Sequence, residues 1–491
     1  MTHRLNPKRL WNIANRKERL HPDLSRLAPS AKALQEYLQK DKPSLLYGID
    51  TGFGPHAFLN NEDRLENQRS LVYHLTVVSS KEFLKLEEAR AVLAARISVL
   101  GLGASAVDPS LCNILLDLLE KDCIPKIPLR GSLSASGDLI PLSSIALALM
   151  GENEWIGQNA HMGPSLANQK KSAIQGLPRV LQAKEALSIT NGTSFTTALL
   201  ALQSETIRLL LEEILSFLEI LFSFHPVFPD AFLPEYHKTK EFPGPIYVAE
   251  RLYAKAKQNP KQKKVGSKIQ DIYSVRCIPQ ILGSLFDEVR EIQNLVEKEL
   301  NSVSDNPIYI HSENRFAEGG NFYASHVSFA ADRLQNVIAV LATWLERFMQ
   351  YLQNPQENGQ FTLSLSPEPG RYAGLSGLAL LSTHLTSEIR RDSMPGSVQS
   401  LATNGGNQDI VPMGAISIYR NRRTIDDLIH LAAIFSYHIF QAGSLVSQEM
   451  SQVSAFSKNR MLKEDRDLRE EINLCLCHYN SLLYPERMGK N

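Results

Sequence analysis

The stretch from Thr193 to Phe224 is apolar on nearly every face of a helix, with only a narrow charged stripe of Glu205, Arg208, Glu212, Glu213 and Glu219. A helix of that kind needs apolar neighbours all round, which places it in the middle of a bundle. Long helical patterns at Tyr273–Leu300, Tyr323–Gln353, Ser376–Arg390 and Val411–Gln452 can supply those neighbours. Shorter ones, with apolar residues three and four apart, occupy Glu62–Ser79, Leu84–Leu100, Pro109–Lys121 and Leu142–Met150. Strand-like runs are few and short, Pro307–His311 being one. The expected fold class is therefore mainly α, built on a long central helix bundle. No fixed-period repeat and no dividing linker is visible, so residues 1–491 read as a single large helical domain. Its N-terminal part extends to about residue 190, and the bundle with the C-terminal helices fills about 191–491.

Composition narrows the function classes. Lys+Arg and Asp+Glu both number 52, so no net charge draws the chain to nucleic acid or to an anionic membrane surface. With 43% hydrophobic and 21% charged residues it is expected to be an ordinary globular protein. The first residues contain no apolar run or small-residue cleavage site, and the apolar stretch Ile425–Gly443 is interrupted by Asp426, Asp427, His430 and His438. Neither a secretory signal nor a membrane span is expected. The five cysteines (Cys112, Cys123, Cys277, Cys475 and Cys477) are too scattered for a disulfide framework, and the expected compartment is reducing cytoplasm.

Two motif fragments carry little. Gly101-Leu-Gly103-Ala-Ser-Ala106 fits a dinucleotide fingerprint, but the preceding residues read as helix rather than strand, so a helix ending at Gly101 is expected. Cys475-Leu-Cys477-His478 lacks a second ligand pair and reads as two small buried side chains on a helix; no metal is expected.

Three stretches break the helical pattern: the glycine-bearing loop Ser44–Leu59, the segment Asp122–Pro141, and the polar, Lys-rich His237–Lys268, expected to be an exposed connection. The second contains Gly131-Ser-Leu-Ser-Ala135-Ser136-Gly137-Asp138-Leu-Ile-Pro141. Ala-Ser-Gly alone is weak, since three residues at ~7% usage each occur by chance about 0.2 times in such a chain. Its chemistry is more telling. Glycine after serine lets the backbone fold back tightly, and the small Ala135 leaves its carbonyl open to the Gly137 nitrogen. Closure with loss of two waters gives an electrophilic five-membered ring in which Ser136 becomes an exocyclic methylene. Pro141 opens a helix whose positive end favours nearby negative charge, and Asp138 is a candidate cap for that helix.

Further motifs follow along the chain. They are Tyr47-Gly-Ile-Asp-Thr-Gly-Phe-Gly54, Lys184-Glu-Ala-Leu-Ser-Ile-Thr-Asn191-Gly-Thr and Gln270-Asp-Ile-Tyr273-Ser-Val-Arg276-Cys-Ile-Pro-Gln. After these come Asn301-Ser-Val-Ser-Asp-Asn306-Pro, Gly319-Gly-Asn321-Phe322 and Thr403-Asn-Gly-Gly-Asn407-Gln408-Asp409. From about Ser44 to Ile418 the chain resembles the aromatic amino-acid ammonia-lyases and aminomutases, which use the prosthetic group 4-methylideneimidazol-5-one (MIO). The resemblance implies the histidine/phenylalanine ammonia-lyase (fumarase/aspartase-like) helical fold, with MIO and lid in the N-terminal part. It implies MIO formed autocatalytically from Ala135, Ser136 and Gly137, no dissociable cofactor, and a homotetramer whose active sites are shared between subunits. Tyr47 is implied as the base for the β-proton, Arg276 as the clamp on the substrate carboxylate, and Asn191 and Tyr273 as neighbours of the MIO ring and amine. Gln270, Asn321, Phe322 and Gln408 are implied to line the pocket, and Gly48, Gly52 and Gly54 to belong to a closing lid. A phenol near pKa 10 is a poor base at neutral pH, so the site of Tyr47 is expected to favour phenolate. The one departure is Ser134, at a position where glycine is common in the family.

Substrate choice is expected to lie in the residues facing the side chain. His74 followed by Leu75 resembles tyrosine-selective members, whose imidazole hydrogen-bonds the phenol. Histidine lyases usually place histidine one position later and glutamate where Gln408 stands. The reading is non-oxidative elimination of ammonia from L-tyrosine to trans-4-coumarate. The rivals are a tyrosine 2,3-aminomutase, a phenylalanine or histidine ammonia-lyase, action on dihydroxyphenylalanine, a catalytically silent helical assembly protein, and a serine hydrolase using Ser134 or Ser136. The last lacks the G-x-S-x-G elbow.

Overall fold

A computed structural model of the protein describes residues 4–40, 45–79, 82–156, 174–262, 268–446 and 449–485. The chain is mainly α, and the helices follow the apolar periodicity closely. They include Arg64–Leu75, Leu86–Leu100, Pro109–Glu120, Leu139–Leu149, Glu185–Thr190, Ser194–Phe224, Ser325–Gln353, Ser376–Arg391, Gly414–Leu445 and Arg469–Leu483. The patterns at Arg64 and Pro109 start where a side chain satisfies a free backbone donor. Asp63 accepts from Glu66 N at 3.0 Å and Asp108 from Ser110 N at 2.8 Å. The strand-like run becomes Ile308–Ile310, paired antiparallel with Arg315–Ala317.

Along Ser194–Phe224 only Ser223 is exposed, as a helix apolar on nearly all faces requires. The pattern at Tyr273–Leu300 splits into Tyr273–Arg276 and Ile278–Leu300. Pro279 has no N–H to donate back one turn, which breaks the ladder there. Leu86–Leu100 ends at Gly101, the turn expected in place of a dinucleotide site.

Three expectations are corrected. The segment read as the exposed connection His237–Lys268 contains the helix Pro243–Gln258, whose Val248, Ala249, Leu252 and Ala256 are fully buried. That narrow apolar face is masked in the sequence by surrounding lysines; residues 263–267 lie outside the described residues. Cys475 is buried but Cys477 is exposed, because a step of two residues turns about 200° around a helix. The pattern Val411–Gln452 resolves into Gly414–Leu445 and the single turn Met450–Gln452, with residues 447–448 outside the described residues. Gly414–Leu445 is also, among the described residues, the one helix long and apolar enough to cross a membrane by length and composition. It is 83% buried over its most apolar window, which packs inside the protein.

The chain divides into two compact units. The first comprises residues 1–205, 293–332 and 395–419. In it, Arg64–Leu75, Leu139–Leu149 and Glu185–Thr190 pack against one another, and Pro7–Ala14 lies along Leu86–Leu100. Lys184 and Asp305 form an ion pair at 2.6 Å with both side chains fully buried. The second unit comprises residues 206–292, 333–394 and 420–491. Its interior is aromatic: Trp344, Phe348 and Phe435 cluster at centroid distances of 5.2–5.9 Å, and Phe217 packs on Phe456 and Tyr479.

Candidate active site

The Ala-Ser-Gly loop is held by its neighbours on every side. Ser134 occupies the left-handed region at φ 56°, which glycine enters most easily. Serine is tolerated because hydrogen bonds fix it. Its N–H donates to Ser132 Oγ at 3.0 Å, its carbonyl accepts from Ala324 N at 3.2 Å, and its Oγ accepts from Ala415 N at 3.1 Å and pairs with Thr196 Oγ1 at 3.0 Å. Ala135 is buried, and Ser136 is half-buried with its Oγ accepting from Gln408 Nε2 at 2.6 Å.

Asp138 does not cap the helix it precedes, contrary to the sequence reading. Its fully buried carboxylate instead accepts from Ser132 Oγ at 2.6 Å, from Thr196 Oγ1 at 2.5 Å and from Thr196 N at 2.9 Å, at the start of Ser194–Phe224. Burial pushes its pKa up, and these hydrogen bonds pull it back.

Gly137 sits at φ +74°, and a Cβ there would lie 2.5 Å from the carbonyl oxygen of Gly192. That oxygen accepts from Asp138 N at 2.8 Å, so the Asn191-Gly192 turn forms a wall against the loop. No other residue fits at 137 without moving that wall.

Ser136 opens into a cavity of about 610 Å³. Tyr47, His74, Leu75, Asn191, Phe322 and Gln408 line it, as the sequence reading expected. Tyr47 Oη accepts from Gly54 N at 3.0 Å, its N–H donates to Glu318 Oε1 at 2.9 Å, and its ring meets Phe53 edge-on at 6.2 Å. Burial raises the phenol pKa above its ordinary value; the Gly54 N–H opposes this and the Glu318 charge adds to it. Within this unit the site therefore does not favour phenolate, a correction to the expectation. The His74 imidazole is lowered, first by desolvation and also by His56, while a backbone hydrogen bond at Ser70 opposes the shift. Asn191 is buried and its Nδ2 donates to the Asn306 carbonyl at 3.4 Å, leaving Oδ1 without a partner.

Sequence reasoning missed several lining residues, among them His56, Asn67, Asn306 and Asn404. His56 follows Gly54-Pro55 within the glycine-bearing loop, and that placement was the only available signal. The loop's first residue, Ser44, lies outside the described residues.

Besides the buried Ala135 and Gly137, four of the expected site residues do not line this cavity. Asn321 is exposed. Gln270, Tyr273 and Arg276 line a second cavity of about 480 Å³, in the second unit. There Arg276 Nη1 donates to Gln270 Oε1, and the guanidinium lies 4.6 Å from the Tyr273 ring centroid. The Arg276 Nε has no hydrogen-bond partner, and Tyr273 is 68% exposed. The first cavity, by contrast, has no Lys or Arg among its described lining residues.

A family model described as aromatic amino acid lyase matches residues 5–464. The chain belongs to that family. Tyrosine ammonia-lyase of Cupriavidus metallidurans is 31% identical over 483 residues, covering 92% of this chain and 89% of that protein. Histidine ammonia-lyase of Bacillus cytotoxicus is 32% identical over 443 residues, covering 88% and 85%. The solved structure of Pantoea agglomerans phenylalanine aminomutase superposes with a TM-score of 0.88 at 24% identity over 96% of each chain, a likeness of fold.

As a member of the aromatic amino acid lyases, the protein is a carbon–nitrogen lyase. Its residues fit the prosthetic group that the family uses. Ala135 is small and buried, Gly137 has the positive φ and the close backbone contact of a tightly folded loop, and the unpartnered Asn191 Oδ1 offers an acceptor beside it.

Proposed function

We propose that this lyase eliminates ammonia from an aromatic L-amino acid, and that L-tyrosine, giving trans-4-coumarate, is the substrate its cavity suits best. The observation carrying this reading is His74, an imidazole kept neutral by desolvation in the same cavity as Ser136 and Tyr47. A neutral imidazole can accept from a phenol O–H or donate to its oxygen. A site built for that hydroxyl leaves a polar group unpaired when phenylalanine binds. Gln408, where histidine lyases carry glutamate, supports an aromatic ring over an imidazole. The tyrosine ammonia-lyase of C. metallidurans agrees with this choice, and the histidine ammonia-lyases of similar identity make it one to test.

Ala135, Ser136 and Gly137 would form MIO, which would supply an electrophile for the substrate amine. Asn191 Oδ1 accepts from the amine, and Gln408 holds the polar edge of the loop. Tyr47 Oη removes the β-proton, and the glycine-bearing loop excludes water around it. Two needs are unmet in the first cavity: a cation for the substrate carboxylate, and one to bring the Tyr47 phenol down toward neutral pH. Arg276, with a free Nε and no ion-pair partner among the described residues, answers both. We infer that copies of the chain assemble, as a homotetramer, so that Arg276 and Tyr273 of one subunit complete the cavity of another. A substrate panel of tyrosine, phenylalanine, histidine and dihydroxyphenylalanine, followed for the conjugated acid, tests the assignment. Separation of β-tyrosine from coumarate distinguishes a lyase from an aminomutase.

A further inference from the structure

Behind the Gly192 wall lies a cation that the proposed reaction does not use. Arg96, on the helix Leu86–Leu100, is completely buried. Its Nη2 donates to the Ser188 carbonyl and its Nη1 to Ser194 Oγ at 3.5 Å, while Nε has no partner. It therefore joins the helix before the Asn191–Thr193 turn to the helix after it. The guanidinium fills the space behind the turn: a Cβ on Gly192 would stand 3.1 Å from Arg96 Cζ and closer still to Nη1. The same glycine also meets Gly137 and accepts from Asp138 N at 2.8 Å. Gly192 is thus closely approached by both Arg96 and Gly137.

We propose that Arg96 is a positioning residue for ring closure, bracing the Gly192 wall so that the Gly137 nitrogen is pressed toward the Ala135 carbonyl carbon. This inference rests on the MIO reading above. In the closure the Gly137 nitrogen bonds to the Ala135 carbonyl carbon. The carbonyl oxygen leaves as water with the amide hydrogens of Gly137 and Ser136, and a carbon–nitrogen double bond forms. The second water takes the Ser136 hydroxyl and its Cα hydrogen, leaving the methylene. No oxidant or added reactant is required. The demand on the fold is proximity: two backbone atoms that normally avoid one another must be held within bonding approach, and a wall that yields loses the advantage. Arg96 suits the task because its planar fork can hold two helix ends at once, which a lysine's point charge cannot. Burial works against its charge, and Asp305 and Asp138 work to keep it.

The test is intact-mass measurement of the full chain as wild type, Arg96→Lys and Arg96→Met, each compared at matched helicity by circular dichroism. The wild type is expected to lack the mass of two waters. In Arg96→Met the fraction of chains lacking that mass is expected to fall at least about fivefold, the scale of losing one buried hydrogen bond, with Arg96→Lys between the two. A folded Arg96→Met protein carrying the complete deficit overturns the proposal. If that variant does not fold, Arg96→Lys decides alone by pulsed synthesis: slower appearance of the deficit supports the brace, and the wild-type rate overturns it. A wild type with no deficit would instead overturn the MIO reading itself.

Discussion

Gln408 Nε2 donates to Ser136 Oγ at 2.6 Å, joining two residues from distant parts of the sequence at the floor of one cavity. The amide holds the hydroxyl of the serine proposed to become the methylene, and it brings no charge to the cavity. Gln408→Glu puts a carboxylate against that oxygen. Turnover of tyrosine is expected to fall by about ten- to a hundredfold, the cost of roughly 1.4–2.8 kcal/mol in the transition state. Steady-state kinetics check this, and an unchanged kcat/KM would remove Gln408 from the site.

His74→Phe is expected to lower the ratio of kcat/KM for tyrosine over phenylalanine by at least about tenfold, since the hydroxyl loses its partner. The wild-type preference has a pH dependence of fixed sign. The imidazole pKa is depressed below its ordinary 6.5, so the neutral form persists above that value and protonation begins only below it. Tyrosine selectivity is therefore expected to be flat above neutrality and to weaken on acidification in the wild type but not in His74→Phe.

Tyr47→Phe is expected to keep the mass deficit of the ring while losing about 10²–10⁴ in kcat, the usual contribution of a general base. The phenol is pushed above its ordinary value of 10.0 by burial, so the active phenolate gains population as pH rises. The rate is expected to climb with pH on the alkaline side of neutrality. Arg276→Met, which removes the proposed cation, is expected to move that limb to higher pH. A pH–rate profile of the two proteins checks the shift.

The buried pair Lys184–Asp305 concerns stability rather than chemistry. Both side chains are fully buried; burial depresses the lysine pKa, and Asp305 opposes that shift without cancelling it. Removing one partner strands the other charge. Lys184→Met is expected to cost about 3–5 kcal/mol, read as a lower denaturant midpoint. A change below about 1 kcal/mol, the range of exposed pairs, would contradict the pairing.

The sequence made the helices legible wherever one face was strongly apolar, as in Ser194–Phe224, and it hid Pro243–Gln258, whose thin buried stripe lies within a polar, Lys-rich stretch. Of the site, Tyr47, His74, Asn191 and Gln408 were recognisable by motif, and all line the cavity of Ser136. Three features were not legible for one shared reason, that they are tertiary. The Asp138 carboxylate serves the N-terminus of a helix far along the chain. His56 enters the cavity from a loop whose path no periodicity records. Gln270, Tyr273 and Arg276, grouped with the others by motif order, occupy a different cavity, because order along a chain says nothing about which compact unit a residue joins.

The most direct test of the central claim, that Ala135, Ser136 and Gly137 become an electrophile, is the intact mass of the wild-type chain beside that of Gly137→Ala. The wild-type mass is expected about 36 Da below the sequence weight, two waters, and the variant, whose added methyl overlaps Gly192, is expected at its full unmodified weight. A wild-type chain at its full weight would contradict the claim.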